Sequence, residues 1–315
     1  MSKHRIFIIG SRGSKLAVIQ AKMVEAALLK VFPDLLIGFK TITTTGDRDR
    51  TRSLDEVGGQ GIFVKELENA LAAGQIDLAV HSLKDVPTEL AAGLTLAGVL
   101  PREDPRDVLV TSTGVKLADL PAGSRLGTES RRRAAQLKKV RPDLMPCPIR
   151  GNIDTRLRKV QSGEVDGAIL AAAALVRLGW AGRITEYLTV ESFLPAVGQG
   201  AVGIEIRADD SESDKAVSAI SDVKTMQAVT AERAFMRTLG GGCRAPIASM
   251  ATVEEGQISI EGMVASMDYS RMIRERGAGP VQHAEAIGIA LGRKVLEAGG
   301  EQIACEAGRL NVAKG

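Results

Sequence analysis

Three features of the sequence have the residue types needed for chemistry, and they lie far apart along the chain. Residues 79–87 (AVHSLKDVP) end an apolar run with the pair Lys84 and Asp85. Cys243 offers a thiol nucleophile within the glycine-rich sequence GGGCRAP. Eleven basic residues crowd positions 125–159. An acid, a thiol and arginines that can grip anions together indicate covalent chemistry on a polycarboxylate.

The elements that must position these residues alternate between strand and helix. The patterns predict, in order, a strand at 5–9, a helix at 14–31, a strand at 38–45, a helix at 62–73 and a strand at 76–81. One face of the first helix is predicted to contain Leu16, Gln20, Met23, Ala27 and Val31. This alternation is that of βαβ units and predicts an α/β fold with a parallel or mixed sheet. Lys84 and Asp85 then follow the carboxyl end of a strand, where open α/β sheets place ligand chemistry.

A short internal echo predicts two lobes of like topology. The segments GQIDLAV at 74–80 and GEVDGAI at 163–169 share a Gly-x-Ile/Val-Asp-x-Ala-Val/Ile pattern, 89 residues apart. Each follows a helix-like segment. A cleft between two such lobes is a usual ligand site.

A third part of the chain begins near Asp222. One helix-like stretch runs to Leu239, and another occupies residues 281–298. Between them lie two strand-like stretches, QISIEGMVAS and RMIRERGAG. Strands grouped between helices predict a smaller α+β domain.

Composition narrows the class of protein. The 315 residues are 44% hydrophobic and 25% charged, which suits two or three globular domains with buried cores. A net charge of +3 and 3% aromatic residues do not favour a nucleic-acid binder. The apolar stretches at 6–9 and 167–176 are too short for a signal-peptide core and a membrane span, respectively. Three widely spaced cysteines support neither a disulfide framework nor a structural zinc site, so a cytoplasmic location is expected.

The basic segment contains two kinds of residue. A solvated helix face is the simplest interpretation of Lys138, Lys139, Arg158 and Lys159. Residues 128–133 instead pass from a strand end into a helix N-terminus, and Arg150 and Arg12 also stand just before helices. Backbone N–H groups favour anions at such positions, and arginine adds a bidentate grip on carboxylate or phosphate.

Weaker signals have simple structural interpretations. GQGAVG at 198–203 matches a dinucleotide-binding pattern, but strand-like IEIR follows it where a helix is required. His81 is predicted to be a hydrogen-bonded structural histidine, and Cys147 and Cys305 to be small core residues. Arg244 favours a lowered thiol pKa at Cys243, although spacing alone leaves its reactivity open.

An ordered set of motifs resembles the porphobilinogen deaminase (hydroxymethylbilane synthase) family. These motifs are SRGSKLA, GGQGIFVKELE, DLAVHSLKDVPTE, LPREDPRDVLV, LGTESRRRAAQL, IRGNIDTRL, LVRLG, LPAVGQGAVGIE and GGGCRAPIA. The end of the chain fits the family only in general character. The resemblance implies an α/β fold of two lobes like those of type II periplasmic binding proteins, with a cleft between them and a smaller C-terminal α+β domain. Domain 1 would comprise residues 1–100 and 200–219, domain 2 residues 101–199, and domain 3 residues 220–315.

The resemblance also implies a transferase activity. Such an enzyme condenses four porphobilinogen molecules head to tail on a covalent dipyrromethane primer, releases ammonia each time, and frees hydroxymethylbilane by hydrolysis for haem biosynthesis. Porphobilinogen is the implied partner. No metal, nucleic acid or membrane is expected, and the chain is expected to be a monomer.

Particular residues of this sequence match the family's functional positions. Cys243 resembles the covalent attachment point of the primer, and Asp85 resembles the catalytic carboxylate that contacts pyrrole N–H groups. The other implied primer-binding residues are Lys84, Thr128, Ser130, Arg132, Arg133 and Arg156. The implied substrate-binding residues are Arg12, Ser14, Arg150, Arg156, Arg177 and Gln199. Because a carboxylate stabilises the positive charge formed when ammonia leaves, losing Asp85 is expected to cost more than losing one arginine.

Three positions depart from the common family pattern. Gln60 stands where many relatives have lysine, Glu129 where a small polar residue is usual, and Arg131 where an apolar residue is usual. We expect Arg131 to offset the charge of Glu129.

Two other classes of protein fit part of the sequence. A non-catalytic binding protein for a dicarboxylate or phosphate explains two lobes and the arginines, but not Cys243 on a glycine-rich loop. A nucleic-acid-binding protein explains the arginines at 131–133, but the chain lacks stacking aromatic residues and a strong overall charge.

Overall fold

Residue contacts divide the chain into two units. The computed structural model describes residues 6–48, 61, 64–240 and 246–306. The first unit comprises Met1–Glu103 and Ala201–Met226, and the second comprises Asp104–Gly200 and Gln227–Gly315.

The helices and strands follow the predicted alternation. In chain order, the first hundred residues contain β1 (Ile6–Ser11), α1 (Lys15–Val31), β2 (Leu36–Thr41), α2 (Thr45–Arg48), α3 (Lys65–Ala72), β3 (Leu78–Ser82) and β4 (Leu94–Val99). The next hundred contain β5 (Asp107–Thr111), β6 (Arg125–Gly127), α4 (Arg131–Val140), β7 (Met145–Cys147), α5 (Ile153–Gln161), β8 (Gly167–Ala171), α6 (Ala172–Arg177) and β9 (Glu186–Tyr187). The remainder contains β10 (Val202–Arg207), α7 (Ser211–Ser218), α8 (Val223–Thr238), β11 (Ile247–Glu254), β12 (Gln257–Ala265), β13 (Met272–Pro280), α9 (Ala284–Val295) and α10 (Glu301–Glu306).

The first unit is built on a five-stranded sheet with the order β2-β1-β3-β10-β4. β1 is parallel to both β2 and β3, whereas β10 is antiparallel to β3 and β4. Apolar residues of α1 and α7 cover one face, and α3 covers the other. The strand after GQGAVG is therefore a central strand of this sheet, which explains why that motif lacks the helix of a dinucleotide site.

The second unit repeats this strand order. The five-stranded sheet of its residues 104–200 has the order β7-β6-β8-β5-β9, with β6 parallel to β7 and β8, and β5 antiparallel to β8 and β9. In each sheet, three successive strands of the βαβ units are followed by an antiparallel strand from elsewhere in the chain, which is β10 in the first sheet and β5 in the second. The next strand in sequence after the three, β4 or β9, then forms the edge of the sheet. The predicted fold class of two like α/β lobes is confirmed.

The internal echo marks equivalent positions in the two sheets. Asp77 precedes β3 and makes two hydrogen bonds with Ile8 of β1. The Ile8 N–H donates to Asp77 Oδ2 at 2.9 Å, and the Asp77 N–H donates to the Ile8 carbonyl at 2.8 Å. Asp166 precedes β8 and makes the same two hydrogen bonds with Arg125, at 2.6 Å and 2.9 Å. The shared aspartate thus fastens the third strand of each lobe to its first.

The buried face of helix α1 overlaps the expected face only in part: Gln20 is buried, and Met23 and Ala27 are partly buried against the core. Its buried residues are Ala17, Gln20, Ala21, Val24 and Leu28. Val31, placed on the predicted face, is instead 46% exposed. Small alanines can approach the sheet closely, and this packing turns the buried face towards Ala17 and Ala21 and away from Val31.

A smaller sheet-containing domain ends the chain, as predicted. Its antiparallel sheet has the order β11-β12-β13, and α9 lies against β12 and β13. Phe235 of α8, Leu239 just after that helix, Ile258 and Ile260 of β12 and Leu291 of α9 share its core. The strand β11 was not among the predicted elements. No helix among the described residues is both long enough and apolar enough to cross a membrane.

Candidate functional site

The carboxyl edge of the first sheet brings four of the predicted residues together. β1 and β3 are parallel neighbours, so Arg12 and Ser14 after β1 lie at the same edge as Lys84 and Asp85 after β3. Ser14 is the N-cap of α1 and accepts from the Ala17 N–H at 3.3 Å. This cap satisfies one of the free N–H groups at the start of the helix.

Lys84 and Asp85 lie on a single 3₁₀ turn, Leu83–Asp85, directly after β3. The Leu83 N–H donates to the Ala201 carbonyl at 3.0 Å, which holds the turn against the strand β10. The Leu83 side chain is 1% exposed, and a Cβ at Gly203 would lie 2.9 Å from Leu83 Cδ1. A glycine is therefore needed beneath this turn, and the turn presents partly exposed Lys84 and Asp85 from a buried anchor.

A buried pair of side chains, His81 of β3 and Glu205 of β10, lies on the same two strands. His81 Nε2 is 3.1 Å from Glu205 Oε2, and both side chains are buried. The contact lacks hydrogen-bond alignment, and neither Glu205 oxygen accepts a hydrogen bond from a described residue. Burial, with a further contribution from the charge of Glu205, raises the pKa of Glu68 on α3. His81 is buried, but the predicted hydrogen bond is not found at Nε2, which has no hydrogen-bond partner among the described residues.

The carboxyl edge of the second sheet holds the basic residues. Thr128 follows β6, and its N–H donates to the Cys147 carbonyl at 2.8 Å. Ser130 caps α4 and accepts from the Arg133 N–H at 3.4 Å, as Ser14 does for α1. The predicted passage from strand end to helix N-terminus is confirmed here.

Arg132 and Arg133 surround one buried carboxylate, Asp107 at the start of β5. Arg132 Nη1 donates to Asp107 Oδ2 at 2.7 Å, and Arg133 donates to Oδ1 through Nε at 3.0 Å and Nη2 at 2.8 Å. Asp107 is 0% exposed. Burial alone would raise the pKa of Asp107, but the charges of the two arginines outweigh it and hold the pKa well below its usual range. Two cations against one anion leave a net positive charge inside the lobe.

Gln199 belongs to the same cluster. Its Nε2 donates to Asp107 Oδ1 at 2.9 Å and to the Pro105 carbonyl at 2.7 Å, and the residue is 1% exposed. Arg177 at the end of α6 is partly exposed and donates to the Gly200 carbonyl at 2.7 Å. Sequence reasoning did not select Asp107, because it stands in the charged run PREDPRD. The apolar VLV that follows is the signal that could have placed it at the start of a buried strand.

Arg150 and Arg156 lie around the start of α5. Arg150 Nε donates to Glu129 Oε1 at 2.9 Å. Arg156 Nε donates to the Gly151 carbonyl at 2.8 Å, and Gly151 has a φ of 104° with Thr155 packed where a Cβ would stand. The expected partner of Glu129 was Arg131, whose Nη1 instead donates to Met267 Sδ at 3.2 Å.

The four residues interpreted as a solvated helix face, Lys138, Lys139, Arg158 and Lys159, differ in exposure. Lys139 and Arg158 are exposed. Lys138 Nζ donates to the Leu144 carbonyl at 2.7 Å, and Lys159 Nζ lies 2.7 Å from Glu164 Oε1. Cys243, the proposed attachment point, and Gln60 lie outside the described residues. Among the described residues, no group of three His, Cys, Asp or Glu side chains is arranged to hold a metal ion.

Comparison with protein families covers nearly the whole chain. Residues 7–215 match the model described as "Porphobilinogen deaminase, dipyromethane cofactor binding domain". Residues 226–297 match "Porphobilinogen deaminase, C-terminal domain". A curated porphobilinogen deaminase of Syntrophobacter fumaroxidans is 48% identical over 95% of this chain and 97% of its own. One from Syntrophotalea carbinolica is 49% identical over 94% of each.

The chain belongs to the porphobilinogen deaminase family. As a member, it is a transferase of tetrapyrrole biosynthesis with a dipyrromethane cofactor.

The donor set of the second unit fits a porphobilinogen deaminase cofactor that carries several carboxylates. The cluster at Asp107 has one more cation than anions. Arg150 Nη2 is buried and has no hydrogen-bond partner within the described part of the chain. Both features suit a ligand that brings carboxylate oxygens.

Two solved structures also match part of the chain. The periplasmic VFT2 domain of BvgS from Bordetella pertussis has a TM-score of 0.42 at 16% identity, over 74% of this chain and 94% of that one. The aliphatic sulphonate binding protein SsuA from Escherichia coli has a TM-score of 0.39 at 16% identity, over 74% and 70%. The strand orders of the two sheets, rather than these matches, define the lobes described above.

Proposed function

We propose that the chain joins four porphobilinogen molecules head to tail and releases hydroxymethylbilane, with Asp85 as the catalytic carboxylate. The observation that carries this proposal is the position of Asp85 at the carboxyl edge of the first sheet, on a turn anchored by Leu83 and Ala201. An anchored turn holds a carboxylate in one place while the ligand beside it changes. This is the preorganisation that electrostatic catalysis requires.

Asp85 acts on charge that develops in the substrate. When porphobilinogen loses ammonia, its methylene carbon is left electron-poor, and the next bond to a pyrrole carbon again creates positive charge. At ~4 Å and an effective dielectric near 20, one carboxylate stabilises such a charge by about 4 kcal/mol. That stabilisation corresponds to a rate factor on the order of a thousand. The same carboxylate relays protons from pyrrole N–H groups.

Basic residues bind the acetate and propionate groups of the pyrroles. Arg12, Ser14, Arg150, Arg177 and Gln199 bind the incoming substrate. Lys84, Asp85, Thr128, Ser130, Arg132 and Arg133 bind the cofactor, and Arg156 contributes to both. Hydrogen bonds to charged groups each contribute ~1.5–3 kcal/mol, so single losses weaken binding without removing the chemistry. The lowered pKa of Asp107 supports this assignment, because an ionised Asp107 keeps Arg132 and Arg133 in fixed orientations.

Cys243 is the attachment point of the cofactor. The bound dipyrromethane supplies the pyrrole carbon to which the first substrate is joined. The chain acts as a cytoplasmic monomer of three domains, divided at residues 100/101, 199/200 and 219/220, with no nucleic-acid or membrane partner. Its three sheets support that division, because the main core cluster beside each sheet consists mostly of residues from that domain.

Intact mass spectrometry tests the attachment. Freshly made protein is expected to carry an adduct of two linked pyrrole units. Cys243→Ser is expected to lose both the adduct and the conversion of porphobilinogen to a linear tetrapyrrole. Cys147→Ser, which changes a half-buried free thiol elsewhere in the second unit, is the matched control and retains both. A bare thiol at Cys243 in fully active protein contradicts the proposal.

A further inference from the structure

The Glu129–Arg150 ion pair is a feature of the second unit that the proposed function does not use. The Nε–Oε1 distance is 2.9 Å, and the Arg150 and Glu129 side chains are 21% and 19% exposed. The pair is therefore partly removed from water. A charge-assisted hydrogen bond is stronger in such surroundings than on an open surface.

Glu129 engages only part of the guanidinium. Arginine binds a carboxylate best through two parallel bonds, and Nε and Nη2 form one edge suited to this. Here Nε carries the bond to Glu129, whereas Nη2 is buried and has no hydrogen-bond partner among the residues described. Arg150 Nη2 can therefore donate a hydrogen bond to a ligand oxygen.

Glu129 itself is held on a fixed backbone. The residue before it, Thr128, donates its N–H to the Cys147 carbonyl at 2.8 Å and accepts from the Ser130 N–H at 3.1 Å through Oγ1. Ser130 then caps α4. A carboxylate held so close to Arg150 has a high effective concentration there, because it does not have to diffuse to the guanidinium.

We propose that Glu129 is a tethered carboxylate that competes with the substrate's carboxylate for Arg150. This inference rests on the proposed function, in which Arg150 binds an acetate or propionate group of porphobilinogen. A substrate carboxylate that takes both Nε and Nη2 must displace Glu129 Oε1, because two carboxylates on one guanidinium edge repel each other. Glu129 keeps Arg150 oriented between substrates and sets the affinity for the next one.

The test compares the holoenzyme with its Glu129→Gln variant. The amide keeps the shape of the side chain and removes its charge. Porphobilinogen turnover is expected to show a KM about fivefold lower, which corresponds to loss of a competing pair of ordinary strength. The kcat is expected to stay within about twofold, because binding in the ground and transition states changes equally.

A second measurement reports on Arg150 without turnover. The Nε–H resonance of Arg150 in ¹⁵N-arginine-labelled holoenzyme is expected to shift and to exchange faster with solvent in Glu129→Gln. Glu164→Gln is the matched control, because it removes an equal charge from a pair with Lys159 in the same unit. This control is expected to leave KM and the Arg150 resonance unchanged.

The outcomes separate the inference from the proposed function. A wild-type holoenzyme that does not consume porphobilinogen overturns the proposed function itself. An active wild type whose KM is unchanged or raised by Glu129→Gln overturns only the competition. Glu129→Ser is made in parallel. If neither variant folds, Glu129 has a structural role and the competition is also rejected.

Discussion

The two five-stranded sheets share one strand order and differ in what stands at their carboxyl edges. Each third strand begins after an equivalent aspartate, Asp77 or Asp166. Eight residues later the first sheet has Asp85, on a partly exposed turn, and the second has Ala174, buried in α6. The common topology provides a ligand position at the carboxyl edge of both sheets. The residues after the third strand determine whether a carboxylate stands there.

Each lobe also buries a carboxylate on the strand that enters from outside the βαβ run. Asp107 on β5 has two arginines and Gln199 around it. Glu205 on β10 has the imidazole of His81. At its carboxyl edge the second lobe has two arginines paired with a buried carboxylate, whereas the first has the partly exposed Asp85 with Arg12 and Lys84. This division suits a reaction in which carboxylates must be held while positive charge is stabilised.

The largest expected effect concerns Asp107. Replacement by Asn leaves Arg132 and Arg133 buried without their counterion, and breaking such a pair typically costs ~3–5 kcal/mol. Urea unfolding at neutral pH is expected to show this loss in the free energy of unfolding. Glu205→Gln is the comparison from the other lobe and is expected to lose less, since no described residue donates a hydrogen bond to either Glu205 oxygen. Equal losses would remove the proposed difference between the two lobes.

The same variant gives a pH dependence. The pKa of Asp107 is lowered by folding, so its stabilising contribution is fully present above the ordinary aspartate pKa of ~3.9 and is lost as the pH falls towards the folded value. The gap in unfolding free energy between wild type and Asp107→Asn is expected to be constant near pH 6 and to shrink below about pH 4. A gap that widens on acidification would contradict the ionised state of Asp107.

The next effect in size is expected at Asp85, on the activation free energy of catalysis rather than on the free energy of unfolding. Replacement by Asn removes the charge and keeps the shape, and kcat is expected to fall about 100- to 1,000-fold. The unfolding midpoint is expected to stay close to that of wild type because Asp85 is partly exposed. Glu89→Gln changes an exposed carboxylate four residues away and serves as the control. A loss below tenfold would place the catalytic acid elsewhere.

The smallest effects test the equivalence of the two echo aspartates. Asp77 also pairs with Arg207 at 3.1 Å and is 13% exposed, whereas Asp166 is 45% exposed. Asp77→Asn is expected to destabilise the protein by about 1–3 kcal/mol, and Asp166→Asn by at most about 1 kcal/mol. Thermal unfolding of both variants measures the difference. Equal losses, or a larger loss at Asp166, would contradict the stronger attachment expected from the burial of Asp77 and its contact with Arg207.

The regular alternation of elements could be predicted because it depends on local patterns. Ser14 and Ser130 precede helices at the expected places, and the echo located the third strand of each lobe. The buried face of α1 could not be read from side-chain size, because close approach to the sheet favoured Ala17 and Ala21. Side-chain partners depend on chain segments far apart, and no local pattern encodes them.

The candidate site shows the same limit. Asp85 and the arginines near helix N-termini could be selected from the sequence, because their residue types and positions are typical of catalytic and anion-binding sites. Asp107 could not, since its role depends on Arg132 and Arg133, which are about 25 residues away. The pairing of Glu129 with Arg150 could not be predicted either, because Glu129 precedes α4 and Arg150 lies between β7 and α5.

The strand β10 has a consequence for the order of events at the ribosome. It separates β3 from β4 in the first sheet, yet Val202 is synthesised about a hundred residues after Val99. At ~5–20 residues per second, the nascent chain waits roughly 5–20 s with β3 and β4 lacking the strand that joins them. Two sheet edges are open during that interval, and open edges can pair with other chains until translation delivers the missing strand.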